Sequence, residues 1–346
     1  MNFSNELINW YSQNKRDLPW RKTNDPYKIW LSEIILQQTR VDQGMPYYYN
    51  FVREFPTIFD LSNASEDKVL KLWQGLGYYS RARNLHFTAK YICSEYNGKF
   101  PENYKEILSL KGIGSYTAAA ILSFAFNKHY AVVDGNVIRV LARYFGVNTF
   151  YDTTFGKNEF QDLANTNLPT QNSDVYNQAI MEFGALVCKP KNPDCYNCIF
   201  IDNCFAKNNS LINKLPKKSN KTKVKNIYLC FLIVNNRESV LFYKKKSGVW
   251  SGLYEFPSIE FLNNLSNNEI LESDELASFF KNEKFHLNHI SPTIIHKLSH
   301  QKIHAKFLHI DCKTINNFDY LKIDISKVNK LPVSRLIDKY LSKNSI

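Results

Sequence analysis

The sequence predicts two folded domains of different class. An all-helical domain spans residues 1–206 and an α+β domain spans 226–346, with a linker at 207–225 between them. Three observations carry this. Apolar residues near the start recur at helical spacing, as with Phe3, Leu7, Ile8 and Tyr11. Beyond residue 226, strand-like apolar runs alternate with turns: 227–234, then Asn235-Asn236, then 240–244, a hairpin pattern. Between the two parts lie seven Lys and no acidic residue.

A chain of 346 residues with 44% hydrophobic content can bury sizeable cores, which argues against disorder. The formal net charge of +12 points to a polyanionic partner. Residues 1–206 nevertheless hold 21 Lys and Arg against 20 Asp and Glu, so a polyanion contact there must come from local arrangement. The 207–225 segment reads as a solvated tether or as a stretch that lies along DNA. The N-terminus lacks a basic region followed by an apolar run, and no apolar stretch approaches a membrane span. A soluble cytoplasmic chain with no membrane contact is therefore expected. In that compartment seven Cys suggest metal or thiol chemistry before disulfides.

In chain order, Arg16-Asp17-Leu18-Pro19-Trp20 is a loop ending in a large aromatic. Asp25 can cap the next helix and Pro26 fits its first turn. Glu33 stands out on that helix, because its neighbours at helical spacing are Ile29, Trp30, Leu36 and Gln37. Desolvation on such a face would raise its pKa and keep it protonated near neutrality, as a general acid requires. Further helices are expected over 47–55, 66–74 and 81–93. Within this region a Gly turn at Gly75–Gly77 presents Tyr78, Tyr79, Arg81 and Arg83. An aromatic on such a loop can wedge between bases while Arg81 and Arg83 grip phosphates.

Leu110-Lys111-Gly112-Ile113-Gly114, between two helical runs, has the form of a helix-hairpin-helix element. Gly112 and Gly114 would let backbone N–H groups approach a phosphate, aided by the positive end of the next helix. Val133-Asp134-Gly135-Asn136 follows an apolar run and precedes a helix at 137–144. Asp134 caps that helix, and its N-terminus should hold the carboxylate ionised. Glu33 pushed up and Asp134 pushed down would give the split pair that a glycosidic-bond hydrolase uses.

Cys188, Cys195, Cys198 and Cys204 are spaced C-x6-C-x2-C-x5-C. Structural zinc usually shows two close Cys pairs, whereas a four-iron four-sulfur cluster takes four Cys at varied spacings, so the cluster is the better fit. In the second domain, 269–280 reads as a helix, 294–309 as strand around Leu298-Ser299-His300, and 334–341 as a closing helix. Five of the eight His lie between His289 and His309, at spacings that do not suggest a metal site.

Taken together, these residues resemble the adenine DNA glycosylases of the MutY type, over nearly the whole chain. The motifs are Leu18-Pro19-Trp20, Trp30 to Glu33 with Gln37-Gln38-Thr39, Gly75 to Asn84, Gly112-Ile113-Gly114, Val133 to Asn136, the four Cys, and Trp250 to Pro257. The resemblance implies a two-lobed, all-α, endonuclease III-like glycosylase domain with one 4Fe-4S cluster on the four Cys, plus a C-terminal α+β Nudix-like domain. It implies a monomer acting on double-stranded DNA that carries adenine opposite 8-oxoguanine or guanine. Glu33 would protonate the leaving adenine, and Asp134 would stabilise the oxocarbenium-like sugar. Tyr116 and Asn136 would support that site. Arg16, Leu18, Trp20, Gln37, Gln38 and Glu182 would line the adenine pocket. Tyr78 would be the wedge, and Ser299 and His300 would read the oxidised base.

Lyase relatives carry a Lys where this chain has Tyr116, so base removal without strand cleavage is expected. A bifunctional endonuclease III-type lyase is the alternative. A Nudix pyrophosphohydrolase is disfavoured, because no Arg lies between Arg237 and Arg335 to start its magnesium-binding box. Two departures are evident. Leu298 replaces the Phe usual in the oxidised-base loop. The Cys loop offers only Lys189 and Lys191 against Asp194 and Asp202.

Overall fold

The computed structural model describes residues 2–219, 224–281 and 283–344. The chain divides into two compact units, Met1–Asn63 with Asn84–Asn220 and Ala64–Arg83 with Lys221–Ile346. The helices are α1 (Phe3–Asn14), α2 (Pro26–Leu36), α3 (Val41–Glu54), α4 (Ile58–Asn63), α5 (Glu66–Trp73), α6 (Ser80–Tyr96), α7 (Tyr104–Ser109), α8 (Ser115–Phe126), α9 (Gly135–Phe145), α10 (Thr154–Asn167), α11 (Ser173–Leu186) and α12 (Phe205–Asn208). The second unit takes α5 and the start of α6 from these and adds β1 (Lys225–Asn235), β2 (Ser239–Lys244), β3 (Tyr254–Glu255), β4 (Ser258–Phe261), α13 (Asn267–Leu271), α14 (Asp274–Phe280), β5 (Phe285–Ile290), β6 (Ile294–Lys297), β7 (Gln301–Cys312), β8 (Leu321–Asp324) and α15 (Arg335–Leu341). Among the described residues no helix is long and apolar enough to cross a membrane.

In the first unit the helix starts follow local chemistry. The Asp25 carboxylate accepts from the Tyr27 N–H at 2.9 Å and Pro26 opens α2. Eight residues of α2 are buried, Glu33 among them, so the helix is sunk in the core rather than laid on it. Gly112 turns the chain into α8 at φ +83°, and a Cβ there would stand 2.7 Å from that of Asn84. Gly114 has an ordinary φ of −97° and serves as the N-cap of α8. Asp134 caps α9, and Gly146 ends it in the left-handed region at φ +76°.

These helices sort into two groups. Phe3 and Leu7 of α1 share one core with Val140 of α9, Phe160 of α10 and Ile180 and Phe183 of α11. Helix α2 packs instead on α3 and α8. Helices α10 and α11 are not among the elements expected from the sequence. Gly184 lets α11 close on α9, since a Cβ there would lie 2.9 Å from the Asn136 carbonyl oxygen.

The second unit is built on one mixed sheet in the order β3-β2-β1-β7-β5, with β4 beside β1, β6 beside β7 and β8 beside β2. Strands β1 and β7 run parallel from Lys225↔Gln301 to Asn235↔Asp311. Strand β1 is apolar on both faces. Phe231 and Ile233 pack with Leu336, Ile337 and Tyr340 of α15, whereas Leu232 and Val234 pack with Ile270, Leu276 and Phe280 of α13 and α14. The expected helix at 269–280 is broken, because the Ser273 hydroxyl caps a new helix by accepting from the Leu276 N–H. The expected strand at 294–309 is a hairpin. Leu298-Ser299-His300 forms its turn, closed by the Leu298 N–H donating to the Gln301 carbonyl at 2.8 Å.

Gly184→Ala should lower stability by about 1–3 kcal/mol, because a helix backbone has to move. Thermal unfolding of the purified variant would show it as a reduced Tm, and an unchanged Tm would rule out the close approach.

Candidate active site

A cleft of about 990 Å³ opens in the first unit. It is lined by Arg16, Leu18, Trp20, Glu33, Gln37, Gln38, Tyr116, Asp134, Asn136 and Glu182, so all the adenine-pocket and catalytic candidates meet there. They come from both helix groups: Glu33 from α2 and Tyr116 from α8, Asn136 from α9 and Glu182 from α11.

Glu33 is 7% exposed. Its Oε2 accepts from the Tyr116 hydroxyl at 2.5 Å. Burial pushes its carboxyl up to about 7, opposed by that hydrogen bond and supported by the negative charge of Asp134. The Tyr116 hydroxyl is itself raised well above its ordinary value, first by burial and then by Glu33. At neutral pH a sizeable fraction of Glu33 is therefore an un-ionised acid in a dry site. Gln37 donates to the Thr117 hydroxyl at 3.4 Å, and Trp20 meets Tyr48 edge-on.

Asp134 is tied into the start of α9. Its Oδ1 accepts from the Asn136 and Val137 N–H groups at 2.8 Å each, and its Oδ2 accepts from the Asn136 amide at 2.8 Å. The expectation that it sits below the ordinary carboxylate range is not met. Burial raises it, and the hydrogen bonds from Val137 and Asn136 with the charge of Arg139 only oppose the rise. Capping chemistry foretells the donors but not the depth of the cleft. Arg139, which sequence reasoning missed, holds the arrangement from behind. It donates to the Asn136 side-chain oxygen at 2.8 Å, the Gly184 carbonyl at 2.6 Å and the Cys188 carbonyl at 2.6 Å. Its place three residues after Asn136 was the available signal.

Glu182 shows the opposite balance. Burial acts to raise it, but hydrogen bonds and charge from Arg16 and Arg21 win and bring it down to about 2. Arg16 Nη2 and Arg21 Nη2 donate to its Oε2 at 2.6 and 2.8 Å. Arg21 was the second residue missed, because its partner lies 161 positions away.

Cys188, Cys195, Cys198 and Cys204 are half-buried free thiols. The other three lie close enough to Cys198 to act on its charge. The Phe200 N–H donates to Cys198 Sγ at 3.4 Å and Arg143 donates to Cys188 Sγ at 3.5 Å. Donors aimed at sulfur suit thiolates that carry negative charge on a cluster. Among the described residues, no three His, Cys, Asp or Glu are placed to hold a single metal ion.

The remaining candidates divide. Gly112 and Gly114 sit at the turn into α8. Tyr78, Ser299, His300, Arg81 and Arg83 belong to the second unit. Tyr78 is 47% exposed, in the left-handed region at φ +49°, with its hydroxyl 2.5 Å from the Ser299 hydroxyl. Arg81 stacks over Trp73 at 5.0 Å and is lowered to about 10 by burial, and Arg83 donates to the Ser251 carbonyl. Both guanidinium groups are therefore engaged within the protein. His300 is exposed and its carbonyl accepts from the Lys225 N–H at 3.0 Å.

Comparison with known proteins gives the context. Residues 31–164 match the HhH-GPD superfamily of base excision DNA repair proteins, and residues 229–343 match the NUDIX domain. The adenine DNA glycosylase of Buchnera aphidicola subsp. Baizongia pistaciae is 37% identical, over 86% of this chain and 87% of that protein. That of Buchnera aphidicola subsp. Schizaphis graminum is 32% identical, over 98% and 97%. A solved thermostable thymine-DNA glycosylase is similar at 31% identity and a TM-score of 0.56, covering 60% of this chain and 95% of that one. An endonuclease III–DNA complex shares the fold of the helical part, at 19% identity and a TM-score of 0.53, covering 60% and 94%. The adenine relatives cover most of this chain whereas these two structures cover 60% of it, and the chain belongs to the adenine DNA glycosylase family, N-glycosylases of base excision repair.

Proposed function

We propose that this glycosylase removes adenine from pairs with 8-oxoguanine or guanine by hydrolysis, without cleaving the strand. One observation carries the chemistry: a buried Glu33, raised to about 7 and held by Tyr116 across the cleft from Asp134. The adenine nucleotide leaves the stack and enters the cleft. Glu33, un-ionised, donates its proton to the departing base. Asp134, turned toward the cleft by its bonds to Asn136 and Val137, stabilises the positive charge that grows on the sugar. Water then completes the cleavage. Glu182, kept ionised, accepts five hydrogen bonds from Arg16 and Arg21 and so fixes those two residues in the wall of the adenine pocket. Leu18, Trp20, Gln37 and Gln38 complete the walls of the adenine pocket.

Helix α8 contains no Lys, so no amine sits at Tyr116 to form a Schiff base. Tyr78 wedges beside the opposite base, and Ser299 and His300 hydrogen-bond it without the stacking ring that Leu298 replaces. Gly112 and Gly114 approach the backbone through their N–H groups. Cys188, Cys195, Cys198 and Cys204 would hold a 4Fe-4S cluster, which would fasten the 188–204 loop. The chain acts as a monomer in this reading, divided into 1–206 for catalysis, 207–225 as linker and 226–346 for the oxidised base.

Single-turnover release of adenine from a duplex with adenine opposite 8-oxoguanine tests the carboxylates. Glu33→Gln and Asp134→Asn should each lose a hundredfold or more, on the order of general acid and electrostatic terms; near-normal release in either would sink its role. In the wild type the rate should fall as pH rises through about 7, because the folded-state Glu33 loses its proton there. That limb should be absent from the residual activity of Glu33→Gln. Borohydride should not trap the enzyme on DNA, and trapping at a lyase's efficiency would overturn hydrolysis by water alone. Iron and acid-labile sulfide should each reach about four per chain, falling in Cys198→Ser; zinc in their place would exclude the cluster.

A further inference from the structure

Helices α8 and α9 are joined by residues 127–134, which form neither helix nor strand. The segment still enters the core, where Ala131 and Val132 are buried. A buried backbone needs hydrogen-bond partners, and here side chains supply them. Asn177 of α11 accepts from the Val132 N–H at 3.1 Å through its side-chain oxygen. Its side-chain nitrogen donates to the Tyr130 carbonyl at 2.8 Å and to the Ser123 hydroxyl of α8 at 2.9 Å. Gln161 of α10 donates to the Ala131 carbonyl at 3.2 Å. Asn177 and Ser123 are both fully buried, at 1% and 0% exposed. An Asn inside a helix is a poor helix former and is costly to bury unpaired, so its place in α11 answers to these bonds.

The elements tied in this way carry the cleft. Tyr116 lies on α8, Glu182 on α11, and Asp134 follows Val132 by two residues. Val132 also packs on Ala119 and Ala120 of α8. Apolar contact is non-directional, whereas a hydrogen bond weakens steeply as its angle departs from linear. The neighbouring Gln178 lines the cleft, while the Asn177 side chain is spent on α8 and the segment before α9. We propose that Asn177 is a positioning residue of the glycosylase: its one amide locks the segment bearing Asp134 to the helix bearing Tyr116, and so fixes where the Asp134 carboxylate stands relative to the acid Glu33. The proposal rests on the roles proposed above for Glu33 and Asp134. Without the amide, the Val132 N–H, the Tyr130 carbonyl and the Ser123 hydroxyl each lose a partner in a dry interior, and the segment has to shift to recover one. A displacement on the order of 1 Å at a reacting group is enough to slow chemistry about a hundredfold.

The test is Asn177→Ala in the full chain, with enzyme in excess over a duplex carrying adenine opposite 8-oxoguanine. In that regime the rate constant of adenine release reports the geometry of the folded enzyme, while misfolding lowers only the active fraction. The rate constant should fall about ten- to a hundredfold. Affinity for a duplex holding a tetrahydrofuran abasic analogue in place of the adenine nucleotide should stay within about twofold of the wild type, since only the chemical step is disturbed. Ser123→Ala cuts the tie to α8 alone and should slow release about two- to tenfold, on the scale of one hydrogen bond. The control is Ser4→Ala, which removes a buried hydroxyl of α1 bonded to the Asn167 carbonyl and should keep the wild-type rate constant. An unchanged rate constant in Asn177→Ala, or rate and affinity falling together, overturns the proposal. Should Asn177→Ala fail to fold, Ser123→Ala decides, and a wild-type rate constant there overturns it. Asp134→Asn keeps the two readings apart. Normal release by that variant refutes the role of Asp134 itself, whereas slow release beside a normal Asn177→Ala refutes the positioning role alone.

Discussion

The site depends on a carboxyl kept out of water. Helix α2 is buried on nearly every side, and the charge of Arg21 offsets the ionisation of Glu33 only in part. An ionised carboxylate there is costly, and the group responds by holding its proton to about pH 7. The Tyr116 hydroxyl at 2.5 Å fixes where that proton sits. Gly112, at φ +83°, turns the chain into α8, whose first turn carries Tyr116. The acid, its partner and the hairpin thus form one dependent set.

Three carboxyl groups in one cleft show how environment divides labour among like side chains. Desolvation wins at Glu33. Two guanidinium groups overcome it at Glu182, which falls to about 2. At Asp134 burial leads, and a full set of helix-start donors opposes it without prevailing. Burial is common to all three, so their differences come from the partners. Arg139 carries this further, since it links the Asn136 amide beside Asp134 to the backbone of Cys188. The cleft and the Cys loop share a strut, and any group bound by the four thiols acts on the same frame.

The parts of the structure legible in the sequence were those governed by a single turn of chain. Asp25, Asp134 and Ser334 cap the helices their spacing announced. Strand β1 was legible because an apolar run of that length has to be buried on both faces. The break at Ser273 was not legible, because a Ser inside a helical pattern becomes a cap only where the chain beyond it turns. The Leu298-Ser299-His300 turn was hidden for a related reason: its flanks read as continuous strand, and only the pairing of β6 with β7 folds them back. Arg21 was invisible, since nothing in its neighbourhood points to Glu182.

By itself, the sequence determined the two domain classes and singled out the two carboxylates proposed for catalysis, because caps, periodicity and glycine turns act over a few residues; the lining of the adenine pocket followed only from the resemblance to the adenine DNA glycosylases. Tertiary structure alone decided the charge states and the alliances: Asp134 raised instead of lowered, Glu182 held down by two Arg, and the backbone at Leu215 tied to the backbone at Lys189 by Arg143. Desolvation and ion pairing depend on which distant segments come to rest together, and no local pattern encodes that distance.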